Sequence, residues 1–406
     1  MKNTNIDWIG NIPDSWELYK IGSFFKSRNE KVSDTDYPPL SVSKGGVVPQ
    51  MEGVAKSDAS DNRKLVLAKD FVINSRSDRK QSCGFSSLDG SVSLINTVLY
   101  TDNTNIILPE YTNIVMKNYG FAEEFYRWGH GIVADLWTTR WQEMKNIVLP
   151  IPSIDMQKRI LSLIGTKLEK IDTLIANQQT QIEKLKEYKQ SVITEAVTKG
   201  LDKSAPFKDS GIEWIGAIST NAKMYRLKNV ANILDEFRKP ITADLRNQNA
   251  DILYDYYGAS GAIDKIDGYT IDDHVMLIGE DGANLRMRNL PLMYEVNGKA
   301  WINNHAHILK PKNNILFKYL FLALESLDIN PYITGSAQPK LNQENLKNIW
   351  LPVFSIEEQQ QIVDYLDEKC GKIDRLIAIK QEKIEKLQEY KKSLIYEYVT
   401  GKKEVV

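Results

Sequence analysis

One block of this chain is written twice, and that constrains the fold more than any other feature of its 406 residues. Residues 154–198 align without a gap on residues 356–400, with about half the positions identical. The core of the match is Ile182-Glu183-Lys184-Leu185 with Glu187-Tyr188-Lys189, against Ile384-Glu385-Lys386-Leu387 with Glu389-Tyr390-Lys391. Shorter echoes precede it. Ile6-Asp7-Trp8-Ile9-Gly10 returns as Ile212-Glu213-Trp214-Ile215-Gly216, and Asn146-Ile147-Val148-Leu149-Pro150 as Asn348-Ile349-Trp350-Leu351-Pro352. Repetition on this scale implies one structural plan used twice. The expected organisation is a variable domain (1–150), a long helix (151–200), a short polar linker with Pro206 (201–210), a second variable domain (211–352) and a second long helix (353–406).

The repeated block carries no proline, and its apolar residues recur at steps of three and four with charges between them. That is the pattern of an amphipathic helix with a seam. The seam residues include Ile171, Ile182 and Leu185 in the first copy and Ile373, Ile384 and Leu387 in the second. Ser153 and Ser355 stand where N-caps belong. Unbroken, each helix would be ~65 Å long at 1.5 Å per residue. A seam of that length needs a partner in water, and the other copy matches it in phase and length. Antiparallel packing of the two would give a coiled coil with pseudo-twofold symmetry and one variable domain at each end. Two unrelated surface helices would not share their phase. Each variable domain mixes strand and turn signals with helix, near residues 113–127 in the first and 314–327 in the second. Asp89-Gly90 and Asn297-Gly298 read as hairpin turns. The fold class is therefore α/β, with two α/β domains joined by two long helices.

Composition narrows the function. Lys plus Arg number 52 against 53 acidic residues, so bulk charge alone calls for no polyanion, though a local basic patch remains open. Two cysteines, Cys83 and Cys370, exclude a disulfide scaffold and suit a reducing compartment. The first residues lack the apolar core of a signal peptide, and no stretch reaches the ~18–20 apolar residues that span a bilayer. A cytoplasmic protein is expected. Phosphate loops, dinucleotide fingerprints and nucleophile elbows are missing. Asn330-Pro331-Tyr332 faintly echoes a methyltransferase motif, without its second proline or a Gly-rich cofactor loop. His305 and His307 alternate along an expected strand, but no third ligand stands at metal spacing, so no metal site is expected. Catalysis is not written in this chain.

Three clusters carry the side chains that read nucleic acid. The first is residues 74–82, with Arg76, Arg79, Lys80 and Gln81. The second is residues 282–289, with Arg286, followed by Asn304 and His305. The third is residues 335–342, with Gln338, Lys340 and Asn342 on a loop restrained by Pro339. Residues 134–140, ending in Arg140, hold the corresponding place in the first domain. Arg bridges guanine O6 and N7, Gln and Asn bridge adenine N6 and N7, and Lys suits phosphates. A solvated loop is the bland reading of each cluster taken singly; their recurrence in equivalent modules favours DNA.

This arrangement resembles the DNA specificity subunit of type I restriction-modification systems. The resemblance rests on Ile212-Glu213-Trp214-Ile215-Gly216 and on Gly335-Ser336-Ala337-Gln338-Pro339-Lys340-Leu341-Asn342. It is strengthened by the helix opening Ser355-Ile356-Glu357-Glu358-Gln359-Gln360-Gln361-Ile362-Val363 and the closing runs Glu389-Tyr390-Lys391-Lys392-Ser393-Leu394-Ile395 and Val399-Thr400-Gly401-Lys402. It covers nearly the whole chain. The first domain departs from it, offering Trp137 to Trp141 in place of the 335–342 run, so the two domains should read different bases. The resemblance implies two target recognition domains, each reading half of a bipartite, asymmetric site in double-stranded DNA. It also implies two modification subunits as partners, restriction subunits in a fuller complex, and no cofactor in this chain. S-adenosylmethionine, ATP and Mg2+ would sit on the partners. The competing readings are a coiled-coil scaffold and a methyltransferase in its own right.

Overall fold

A computed structural model describes residues 1–50, 61–76, 79–101, 105–131, 137–242 and 251–404. Ser77, Asp78 and residues 134–136 of the candidate clusters lie outside the described residues. The chain divides into two compact units, residues 1–179 with 381–406, and residues 180–380. The long helices run unbroken over Ile154–Lys199 and Ile356–Val399, so each unit contains part of both. Ser153 Oγ accepts from Met156 N at 3.4 Å and Ser355 Oγ from Glu358 N at 3.2 Å, capping both helices alike.

Inside each unit the two helices are antiparallel. In the first, Lys167 Nζ donates to Tyr398 Oη at 2.7 Å, and Lys391 pairs with Asp172. In the second, Lys189 pairs with Asp374. Ile171, Ile182, Ile373 and Ile384 are buried and Leu185 and Leu387 half-buried, so the seam is consumed in packing. Each fully buried Ile is worth roughly 1.5–3 kcal/mol.

The first unit's domain holds a four-stranded sheet in the order Cys83–Phe85, Phe71–Asn74, Asn96–Tyr100, Lys26–Arg28, and a three-stranded one in the order Gly90–Val92, Arg63–Val66, Lys31–Val32. The second unit's domain is built on a six-stranded sheet in the order Ala231–Ile233, Ala306–Pro311, Ile271–Gly279, Met293–Ile302, Tyr254–Gly258, Gly261–Ile266. In both, a strand from the domain's start pairs with one just before the long helix: Glu17–Lys20 with Val148–Ile151, and Lys223–Arg226 with Trp350–Val353. The turns at Gly10 (φ +67°) and Gly216 (φ +68°) also match, and only glycine takes that conformation without strain. The connector is not wholly irregular, since Phe207–Asp209 forms a strand against Ala217–Ser219.

Local signals gave way at three places. Asn297-Gly298 lies inside the strand Met293–Ile302, paired with Asp273 and His274, because burial of the central sheet outweighs its turn preference. Asp89-Gly90 joins strands that pair with different neighbours, and Asp89 Oδ1 instead accepts from Ala68 N at 2.7 Å. The first domain's helix is two, Pro109–Lys117 and Tyr119–Arg127, divided at Asn118, whose side chain caps the second by accepting from Phe121 N at 3.0 Å. Its counterpart Phe317–Ser326 is a single helix.

Candidate nucleic-acid interface

In the second domain the predicted clusters converge. The loop closing the domain folds on itself through paired bonds between Thr334 and Lys340, both 2.8 Å, and Leu341 N donates to Glu280 O at 2.8 Å. Gly282 N reaches Pro339 O at 3.1 Å, joining the second cluster to the third. Arg286 Nη2 donates to Ile333 O at 3.3 Å and Gly335 O at 3.4 Å. Gly335, at φ +77°, lies so close to Gln338 O that a Cβ would stand 2.3 Å from it, so this tight loop requires glycine.

The first domain repeats this frame. His130 and Thr138 exchange backbone bonds of 2.9 and 3.0 Å, and Thr139 N donates to Ser75 O at 2.9 Å. Arg76 bridges Thr138 as Asp281 bridges Lys340. Ser75 N bonds Ile95 O, as Glu280 N bonds His305 O. Residues 138–140 and 340–342 are therefore equivalent, and so are Ser75 and Glu280. The floors beneath them differ. Under the first loop the Ser75 and Thr97 hydroxyls meet at 2.8 Å. Under the second, buried His307 bonds Asp235 Oδ2 through Nδ1 at 2.7 Å and Leu341 O through Nε2 at 2.8 Å.

Around His307 the charges are dense. Arg238 reaches Glu280 at 2.6 Å and Asp235 at 3.2 Å, and Lys340 Nζ lies 3.2 Å from Glu280. Burial pushes the Asp235 carboxyl up, but bonds from His307, Gln343 and Ile308 outweigh it and hold the group below the ordinary carboxylate value. Glu280 follows the same pattern, with burial opposed by Arg238 and Lys340. Asp235, Arg238 and Glu280 were absent from the sequence candidates, being 72 and 42 positions from their partners.

The candidates divide by what their side chains already do. Arg79, Arg140, Arg286, Asn304, His305, Gln338 and Lys340 are exposed. His305 accompanies Asp281 at 2.7 Å, on the same loop floor. Lys80 pairs with Glu123 at 2.7 Å, and Gln81 Nε2 donates to Lys117 O at 3.0 Å, so both also brace the domain. Asn342 caps the helix Gln343–Lys347 by accepting from Asn345 N at 2.8 Å. Asn330-Pro331-Tyr332 is a short turn whose Tyr332 packs edge-on to Trp214 and accepts from Trp350 N at 3.1 Å. Among the described residues no cluster of His, Cys, Asp or Glu could hold a metal, and no helix is long and apolar enough to cross a membrane.

The model of the type I restriction modification DNA specificity domain matches residues 220–389, which includes this loop frame and most of the second helix. Over those residues the chain resembles the type I DNA specificity domain family. Among curated specificity subunits, it is 33% identical over 141 residues to S.HindORF215P of Haemophilus influenzae, covering 35% of each chain. It is 26% identical to the MjaVIII specificity subunit of Methanocaldococcus jannaschii over 64% of this chain and 62% of that one. The matched stretches thus span about a third and under two thirds of these relatives. A solved chain, from work on complex assembly and conformational transition of the type I R-M system, superposes with a TM-score of 0.68 at 14% identity, covering 96% of this chain and 98% of that one. The fold is therefore shared along nearly the whole length.

Proposed function

We propose that this specificity subunit reads a bipartite DNA site, each domain contributing one half through its closing loop. The observation that carries the reading is the loop frame itself: one backbone scaffold is built twice, presenting Thr138–Arg140 in one unit and Lys340–Asn342 in the other on chemically different floors. Equal scaffolds with unequal side chains suit an asymmetric target. The unbroken helices act as the ruler that fixes the gap between half-sites.

The helices also dock two modification subunits. Leu174 and Tyr390 are each about half exposed in the first unit, and their repeats Leu376 and Tyr188 are exposed in the second, so the same apolar side chains are offered twice. The subunit itself does no chemistry; S-adenosylmethionine, ATP and Mg2+ belong to the modification and restriction subunits. A near-neutral net charge fits a chain that supplies only part of the phosphate-binding charge. The complex works in the cytoplasm. Selection of fragments from a random DNA library by the purified chain with its modification subunit tests the reading. Enrichment of two short conserved blocks at a fixed gap is expected. Retention without any sequence selection would instead make the chain a scaffold.

A further inference from the structure

We infer that His307 is a specificity-positioning residue: it holds the second domain's reading loop in place from beneath. The inference rests on the proposed DNA-reading role and deepens it. His307 has no exposed surface, so it touches no DNA. Its ring is held at both nitrogens, Nδ1 against the Asp235 carboxylate and Nε2 against the Leu341 carbonyl. One of those bonds ends on the backbone of the loop, between Lys340 and Asn342. The other ends on a carboxylate anchored by Ile308 N at 3.1 Å, Gln343 Nε2 at 3.0 Å and Arg238 at 3.2 Å. Glu280, whose carbonyl accepts from Leu341 N, completes the ring of contacts through Arg238 and Lys340.

The network therefore fixes the height and tilt of Gln338 and Lys340 relative to Asp281 and Arg286 from a rigid sheet. Base readout needs such placement, because hydrogen-bond recognition is lost over a fraction of an ångström to an ångström. The first domain fills the same position with Ser75 and Thr97, whose hydroxyls bond each other and, among the described residues, neither a carboxylate nor the loop carbonyl. The pairing of Glu280 with His307 is thus particular to the second reading.

The test is genome-wide adenine methylation mapping in a host carrying a type I modification subunit that co-purifies with this chain, with wild-type chain, His307→Asn, and the double variant E280S/H307T. The double variant installs the pair that the first domain tolerates at the equivalent positions. Wild type must yield a bipartite motif; if it yields none, the DNA-reading role fails, separately from this inference. Given that motif, both variants are expected to keep the first half and the gap, while one or more positions of the second half relax by tenfold or more in selectivity. A motif unchanged in both halves overturns the inference, as does equal relaxation of both. Should His307→Asn fail to assemble, the double variant decides on the same terms. Failure of both to assemble overturns the inference too, since the network would then be a general folding element.

Discussion

Lys391 Nζ lies 2.6 Å from Asp172 Oδ1, and the repeat-equivalent pair Lys189–Asp374 closes at 2.7 Å with the helices exchanged. The same two side chains thus join the same two helix positions twice, once in each unit. Reversing one charge, as in Lys391→Glu, should destabilise the first unit by up to about 1 kcal/mol, because the carboxylates are more than half exposed. Adding Asp172→Lys should restore it. Thermal denaturation of the single and double variants checks this; equal loss in both would show that the pair contributes nothing.

Gln157 and Gln359 are fully buried and play one role in two places. Gln157 accepts from Leu108 N at 2.8 Å and donates to Ile106 O and Pro152 O at 2.8 and 2.9 Å. Gln359 accepts from Leu316 N at 2.9 Å and donates to Asn314 O and Phe354 O at 3.1 and 2.9 Å. Replacement of either by Leu orphans three backbone groups, at about 1–3 kcal/mol for each left unsatisfied. Denaturant unfolding should show a loss above ~3 kcal/mol for each variant, and similar for the two.

Lys340→Ala and Arg79→Ala should each weaken DNA binding by the assembled complex roughly tenfold at moderate salt. Loss of a phosphate contact would also reduce the steepness of the salt dependence by about one unit. Titrations at several salt concentrations measure both effects. Unchanged affinity in both variants would remove the loops from the DNA interface.

Acid should loosen the second domain through Asp235 and Glu280. Both carboxyls are held below their ordinary values, 3.8 and 4.5, when folded. The unfolded chain therefore takes up protons first on acidification. Their stabilisation is present above those ordinary values and is lost as pH falls through the depressed folded ones. Melting between pH 7 and pH 3 should show a drop that D235N/E280Q flattens. An equally steep drop in the double variant would contradict this.

The repeat made the helices, their Ser153 and Ser355 caps and their buried seam legible, because each rests on local spacing. The loops were legible as types of residue, and Gly335 by its place in the motif. What escaped depends on long-range pairing. Asp235 looks like any acidic residue until the fold sets it beside His307. No local spacing marks Gln157 and Gln359 as buried, although their identity across the two copies, off the seam, is a signal. Asn297-Gly298 misled because turn preference is weak against the register of a central strand.

The most direct test of the central claim is adenine methylation mapping across a host genome carrying this chain, with and without a type I modification subunit. A bipartite motif with a fixed gap, appearing only when both proteins are present, is the predicted result. Methylation with this chain alone, or no motif although the two proteins co-purify, would contradict it.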